Sequence, residues 1–192
     1  MIKAIIFDCF GVIISDSFST SYQAMGGDME ADTALITNTF HAYNHGVITM
    51  AELDKTMAER LGVNTRQWRE SRTNAENIDR QLLAYVQEIK KTYKTALLTN
   101  AGKGSLQRRF SGEELDNHFD ELIVSSEVGM AKPYTEIYEL TAMRLGVEPE
   151  ECIFIDDREL YCEGAEITGM QTILYKNFNQ MKAELEVLLK NP

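Results

Sequence analysis

Proline is scarce in this chain, with 3 among 192 residues, and so are cysteine and histidine, with 3 each. Few prolines leave long stretches free for helix and strand and exclude a proline-rich linker architecture. Cys9, Cys152 and Cys162 are odd in number and lack metal-ligand spacing, which excludes a disulfide framework and a structural zinc site. Cys9 and Cys152 lie in or beside apolar strand runs and read as buried free thiols. His41, His45 and His118 also lack ligand spacing and read as surface or packing residues. No apolar run approaches ~20 residues, so a transmembrane helix is excluded. The N-terminus shows no signal-peptide pattern, because strand-like sequence begins at Ile2, and a cytoplasmic location is expected. Positive charge is in deficit: 19 Lys and Arg face 30 Asp and Glu, a net charge of −11. That balance argues against a nucleic-acid or anionic-membrane partner. An anionic substrate would then need local positive charge from a lysine or a metal.

What remains is an ordinary globular composition, long enough for one good core and a smaller lobe. Ala4-Ile5-Ile6-Phe7 is a short apolar run that reads as a buried strand and ends at Asp8. Further runs follow at Thr95–Thr99, Glu121–Val124, Cys152–Ile155 and Gln171–Leu174. Helical patterns separate most of them. Ile78, Leu82, Tyr85, Val86 and Ile89 mark one helix. Tyr134, Ile137, Tyr138, Thr141 and Leu145 mark another, with Pro133 as first helical residue and Gly146 as stop. Met181, Leu185, Leu188 and Leu189 form the stripe of a C-terminal helix, with Asn179 as its expected cap. Alternating strands and helices predict an α/β fold, a parallel sheet of about five strands with helices on both faces.

Residues 15–81 break this rhythm. Thr49-Met50-Ala51-Glu52 is a capping box, Leu53, Met57 and Leu61 give the next helix one apolar face, and Gly62 ends it. Residues 32–43 and 65–74 also read as helix, which makes the segment a small all-helical insertion. Arg66, Arg69 and Arg72 share a helical face, expected to be solvated. Ala101-Gly102-Lys103-Gly104-Ser105 lacks the spacing of a nucleotide P-loop and reads as a loop and helix start, with Lys103 placed to steer anions.

In a parallel sheet the polar residues at the strand ends converge on one rim. Here they are Asp8, Thr99-Asn100, Lys132 and Asp156-Asp157. Carboxylates, a hydroxyl and an ammonium suit a divalent cation and a phosphoryl group. Mg²⁺ takes oxygen ligands, which Asp8, Asp157 and the backbone carbonyl of Phe10 can supply. Asp8 can attack phosphorus and form an aspartyl-phosphate. Thr99 and the backbone N–H groups of Asn100 and Ala101 can hold phosphoryl oxygens, while Lys132 offsets negative charge. Asp156 supports the site or caps the following helix.

These segments resemble the haloacid dehalogenase superfamily. Phe7-Asp8-Cys9-Phe10-Gly11-Val12 matches its first motif, Leu98-Thr99-Asn100-Ala101 the second, Ala131-Lys132-Pro133 the third and Phe154-Ile155-Asp156-Asp157 the fourth. The helical insertion resembles the C1-type cap of subfamily I, and His45-Gly46-Val47-Ile48-Thr49 resembles a turn of the glucose-1-phosphatase and epoxide-hydrolase phosphatase-domain branch. The resemblance implies a Rossmann-like core over residues 1–14 and 82–192, a cap over 15–81, and a Mg²⁺-dependent phosphohydrolase for a small phosphate ester, with sugar phosphates the leading class. Two positions depart from the pattern. Phe10 stands where the family carries a general acid and base, and loss of such help typically costs ~10²–10⁴-fold. Tyr161 stands where relatives carry Asn or Asp beside the metal. The departures keep open a phosphate-binding protein without turnover. An aromatic at position 10 also fits a 2-haloacid dehalogenase, against which the Asp156-Asp157 pair argues. Oligomeric state is not legible from the chain.

Overall fold

The strands alternate their side chains between two different cores, and that alternation places everything else. In the computed structural model, which describes residues 1–190, β1 (Ala4–Phe7), β2 (Lys94–Thr99), β3 (Glu121–Val124), β4 (Cys152–Asp156) and β5 (Gln171–Leu174) form one parallel sheet in the order β3-β2-β1-β4-β5. Ile5, Phe7, Leu97, Ile153 and Ile155 face one side. There they meet Leu82, Val86 and Ile89 of a helix over Arg80–Ile89, and Met181 and Leu185 of a helix over Phe178–Lys190. Ala4, Ile6, Ala96, Leu98 and Phe154 face the other side, against Ile137, Tyr138, Ala142 and Leu145 of a helix over Thr135–Leu145 and Ala165 of one over Glu159–Glu166. A strand buried on both faces reads as a continuous apolar run, which explains why these segments show no polar alternation. Each fully buried Ile, Leu or Phe here contributes roughly 1.5–3 kcal/mol relative to exposure.

Numbered in chain order, the helices are α1 (Ser17–Ala24), α2 (Thr33–Asn44), α3 (Met50–Leu61), α4 (Thr65–Ala75), α5 (Arg80–Ile89), α6 (Gly112–His118), α7 (Ser125–Val128), α8 (Thr135–Leu145), α9 (Glu159–Glu166) and α10 (Phe178–Lys190). Helices α1 to α4 lie between β1 and α5 and gather around a core of their own: Tyr22, Tyr43, Leu53, Met57, Ala58 and Trp68. The Thr49–Glu52 capping box starts α3, and Gly62, at φ +67°, ends it. Arg66 is exposed and pairs with Glu70, as a solvated face requires. Arg69 and Arg72 depart from that expectation and converge on buried Asp54 at 2.9 Å each. Asp54 also accepts the indole N–H of Trp68 at 2.9 Å. A buried carboxylate needs such partners, and these arginines are the ones within reach.

Three further local expectations are corrected. Pro133 sits in the turn before α8, which begins at Thr135. Asn179 lies inside α10, and the capping side chain is that of Asn177, whose Oδ1 accepts from Gln180 N at 3.0 Å. The segment after Ala101 runs through turns as far as Phe110, and the next α-helix begins only at Gly112.

Candidate active site

Strand register fixes the position of Asp8. Phe7 is paired with Leu97 and with Ile155, so the next residue emerges at the C-terminal edge between β2 and β4. The Asp8 N–H donates to Ile155 O at 2.9 Å, which holds the turn in place. The loop then passes directly beneath Asp157. At Gly11 (φ +100°) an added Cβ would lie 2.3 Å from the Asp157 carboxylate, so both backbone conformation and space demand glycine.

Lys132 reaches this edge from the other side. Its Nζ lies 2.6 Å from Asp8 Oδ1 and 2.5 Å from Asp156 Oδ2, with the side chain 1% exposed. Asn100 places it: the carboxamide donates to Lys132 O and accepts from Lys132 N, both at 2.9 Å. Burial pushes the Asp8 carboxyl up to about 7, with Lys132 opposing and Asp156 and Asp157 reinforcing. Burial and the neighbouring Asp156 raise Asp157 to about 6. Burial disfavours the Lys132 ammonium, but the Asp156 and Asp8 carboxylates outweigh it and hold the amine firmly protonated.

Oxygens of Asp8, Asp156 and Asp157 lie within 4.8 Å of one another. Asp156 has both oxygens engaged, one by Lys132 and one by the N–H of Arg158 at 2.9 Å. Asp157 Oδ1 is buried without a hydrogen-bond partner among the described residues. This crowded, all-oxygen set with an orphaned carboxylate oxygen fits a hard divalent cation, which Asp8 and Asp157 are free to hold.

The remaining expected residues divide. Thr99 Oγ1, buried and without a partner among the described residues, is available at the same edge. The Ala101 N–H is not, because it donates to Ser125 Oγ at 3.1 Å. The Asn100 side chain is a brace for Lys132. The Phe10 ring lies beneath the Arg109 guanidinium, Cζ 5.0 Å from its centroid. The Tyr161 ring covers Lys132 Nζ at 4.8 Å, and its hydroxyl accepts from Arg158 at 2.8 Å. It shields the ammonium instead of bracing a carboxylate.

A cavity of about 490 Å³ opens over this edge, with Asp8, Thr99, Lys132 and Asp157 on the core side and Phe18, Phe40, His41 and Arg72 on the insertion side. Several of its features escape sequence reading. Arg109 pairs with Glu76 through Nε and Nη2 and contacts Ser105 through Nη1, but nothing in a turn-rich loop marks one arginine among several. Ser125 was findable, since it follows β3 as Asp8 follows β1. Its hydroxyl also donates to Asn44 O at 2.8 Å, joining α2 to the core.

The chain is 27% identical over 206 residues, covering 100% of both chains, to D-ribitol-5-phosphate phosphatase of Bacteroides thetaiotaomicron. It is 40% identical over 103 residues to bifunctional epoxide hydrolase 2 of Sus scrofa, a match covering 50% of this chain and 18% of that much longer protein. The fold superimposes with a TM-score of 0.72 on a crystal structure of a HAD family enzyme from Bacteroides thetaiotaomicron in complex with magnesium and inorganic phosphate, at 24% identity and covering 92% of this chain and 95% of that one. The profile of the haloacid dehalogenase-like hydrolases matches residues 2–165, and the chain belongs to that hydrolase family.

Proposed function

We propose that this protein is a Mg²⁺-dependent phosphohydrolase that cleaves small phosphate monoesters through an aspartyl-phosphate on Asp8. The observation that carries the reading is the placement of Lys132 between Asp8 and Asp156, beside an Asp157 oxygen that has no partner among the described residues. The ammonium cancels one carboxylate charge, so an anionic ester can approach Asp8. Mg²⁺, held by Asp8, Asp157 and the Phe10 carbonyl, would supply further charge neutralisation for the phosphoryl oxygens.

In this reading one Asp8 oxygen attacks phosphorus and the ester P–O bond breaks. Thr99 Oγ1 donates to a phosphoryl oxygen, and Lys132 balances the charge that develops on the transferred group. The departing oxygen takes its proton from water, because Phe10 has none to give. Water then attacks the aspartyl-phosphate and releases inorganic phosphate. Polyol and sugar phosphates are the leading substrate class, supported by the relative named as a ribitol-5-phosphate phosphatase. The inserted helices would serve as a cap over residues 15–81 that excludes water from the cavity.

Phosphate release across a panel of esters, with and without Mg²⁺, tests the reading with Asp8→Asn as control. Mg²⁺-dependent turnover absent from Asp8→Asn is the expected result. Equal background rates in both proteins would overturn it, and halide release from a 2-haloacid without Mg²⁺ would replace it with dehalogenation. A second reading, phosphate binding without turnover, is favoured by the aromatic ring at Phe10. It requires ligand-induced stabilisation in a protein that turns over no ester.

A further inference from the structure

A second cavity, of about 390 Å³, lies where the loop after β2 meets the start of α3. Lys103 and Arg108 line it, and no Asp or Glu is among its lining residues, in a chain with a net charge of −11. Neither cation has an ion-pair partner among the described residues. Two acids border the cavity and are hydrogen-bonded: Glu52 accepts from Thr49 N at 2.7 Å within the α3 capping box, and Glu127 from Gly104 N at 3.3 Å. The 12-residue helix α3 presents its N-terminus here through Thr49, Met50 and Ala51. The first N–H groups of a helix have no intrahelical acceptor, and its dipole favours an anion.

An independent observation points to a ligand. Tyr43, 4% exposed, lines both this cavity and the one over Asp8, and its hydroxyl has no side-chain hydrogen-bond partner among the described residues. The ring lies so close to Gly102 that a Cβ there would sit 2.3 Å from it, which sets the hydroxyl against the Gly102 backbone. A buried hydroxyl left so is costly unless something else completes it.

We propose that this cavity is a second anion site, which binds the phosphate group of inorganic phosphate or of a small phosphorylated metabolite between Lys103 and Arg108 on the core and the α3 N-terminus on the insertion. Its ligand bridges the two parts of the chain, and the site stands independently of the reaction proposed at Asp8.

The test uses the full chain stripped of divalent cations, titrated with inorganic phosphate and separately with glycerol 3-phosphate while amide NMR shifts are recorded. The expected result is saturable shifts at Met50, Ala51, Lys103 and Gly104. Lys103→Ala/Arg108→Ala, which removes two exposed cations, should weaken binding by about 10-fold or more. Tyr43→Phe should weaken it several-fold. Tighter binding of the ester identifies a metabolite as the ligand, and equal or tighter binding of inorganic phosphate identifies the free ion. Shifts confined to the Asp8, Thr99 and Lys132 edge, or unchanged affinity in the double variant, would overturn the proposal.

Discussion

The guanidinium of Arg109 lies over the ring of Phe10, Cζ 5.0 Å from the centroid, and is anchored there by Glu76. A cation over an aromatic face is attracted by the ring quadrupole. Phe10 is thus packed into a defined place, tied to the chain segment that leads out of α4.

Restoring the carboxylate tests what that packing costs. Phe10→Asp should raise kcat toward the lower end of the ~10²–10⁴-fold range for general acid–base help. Arg109 beside it would favour the ionised form, which serves water activation better than protonation of the leaving oxygen. Single-turnover kinetics that separate phosphorylation from dephosphorylation check this, and a faster second step with little change in the first is the expected pattern.

Lys132→Met should both abolish turnover and destabilise the chain. Removing one partner from a buried pair costs about 3–5 kcal/mol, and here it leaves Asp8 and Asp156 facing each other without the ammonium that joins them. Urea denaturation reads the loss. A change below about 1 kcal/mol would contradict the burial and pairing described, given that range for a broken buried pair.

Asn100→Ala removes the brace on Lys132 without touching its charge. Both backbone groups of Lys132 lose their partners, at about 1–3 kcal/mol for each buried group left unsatisfied. Turnover should fall more than substrate affinity. Asn100→Asp, which keeps the acceptor for Lys132 N, should recover part of the stability. Denaturation paired with a kcat and KM comparison distinguishes the two variants.

Metal affinity should fall with acidification. Asp8 at about 7 and Asp157 at about 6 are raised above an ordinary carboxylate at 3.8, so protons compete with a cation across this range. The sign for stability follows from the same shifts. The metal-free folded state holds protons that the unfolded chain has released, so this contribution is complete below 3.8 and is lost as pH rises toward about 7. Mg²⁺ should therefore raise the melting temperature more at pH 8 than at pH 5.5, values chosen to bracket the raised carboxylates. Calorimetry at both values, with and without Mg²⁺, checks it, and an equal increment would contradict the assignment.

Asp54→Ala should loosen the inserted helices before the sheet. Arg69, Arg72 and the Trp68 indole all lose their acceptor. A cost of about 3 kcal/mol is expected, the lower part of the range for a broken buried pair, because Arg69 is half exposed. Trp68 is the only tryptophan, so its fluorescence should shift at lower urea than the far-UV signal of the whole chain.

Much of this was legible in advance because the relevant signals are local. Apolar runs such as Ile5–Phe7 and Cys152–Ile155 need no knowledge of their neighbours to be read as buried strands, and a polar residue at the end of each of these two runs lines the rim of the candidate site. Gly62 and the Thr49–Glu52 box announce helix ends through backbone geometry alone. The errors came where two local options were close in energy. Asn177 and Asn179 are equally good caps by type, and only the exit path of β5 selects between them. Arg69 and Arg72 fit a solvated face until Asp54, distant in sequence, is found buried opposite them.

By itself, the sequence determined the parallel sheet, the insertion after its first strand and the acid, hydroxyl and lysine inventory at the strand ends, because periodicity, capping and strand-end chemistry act over a few residues. The tertiary structure decided which of those groups remain available. It engages both oxygens of Asp156 and the N–H of Ala101, leaves Thr99 Oγ1 and an Asp157 oxygen without partners among the described residues, and packs Phe10 under Arg109. Availability depends on partners brought together across tens of residues, through burial and hydrogen bonding that no local pattern encodes.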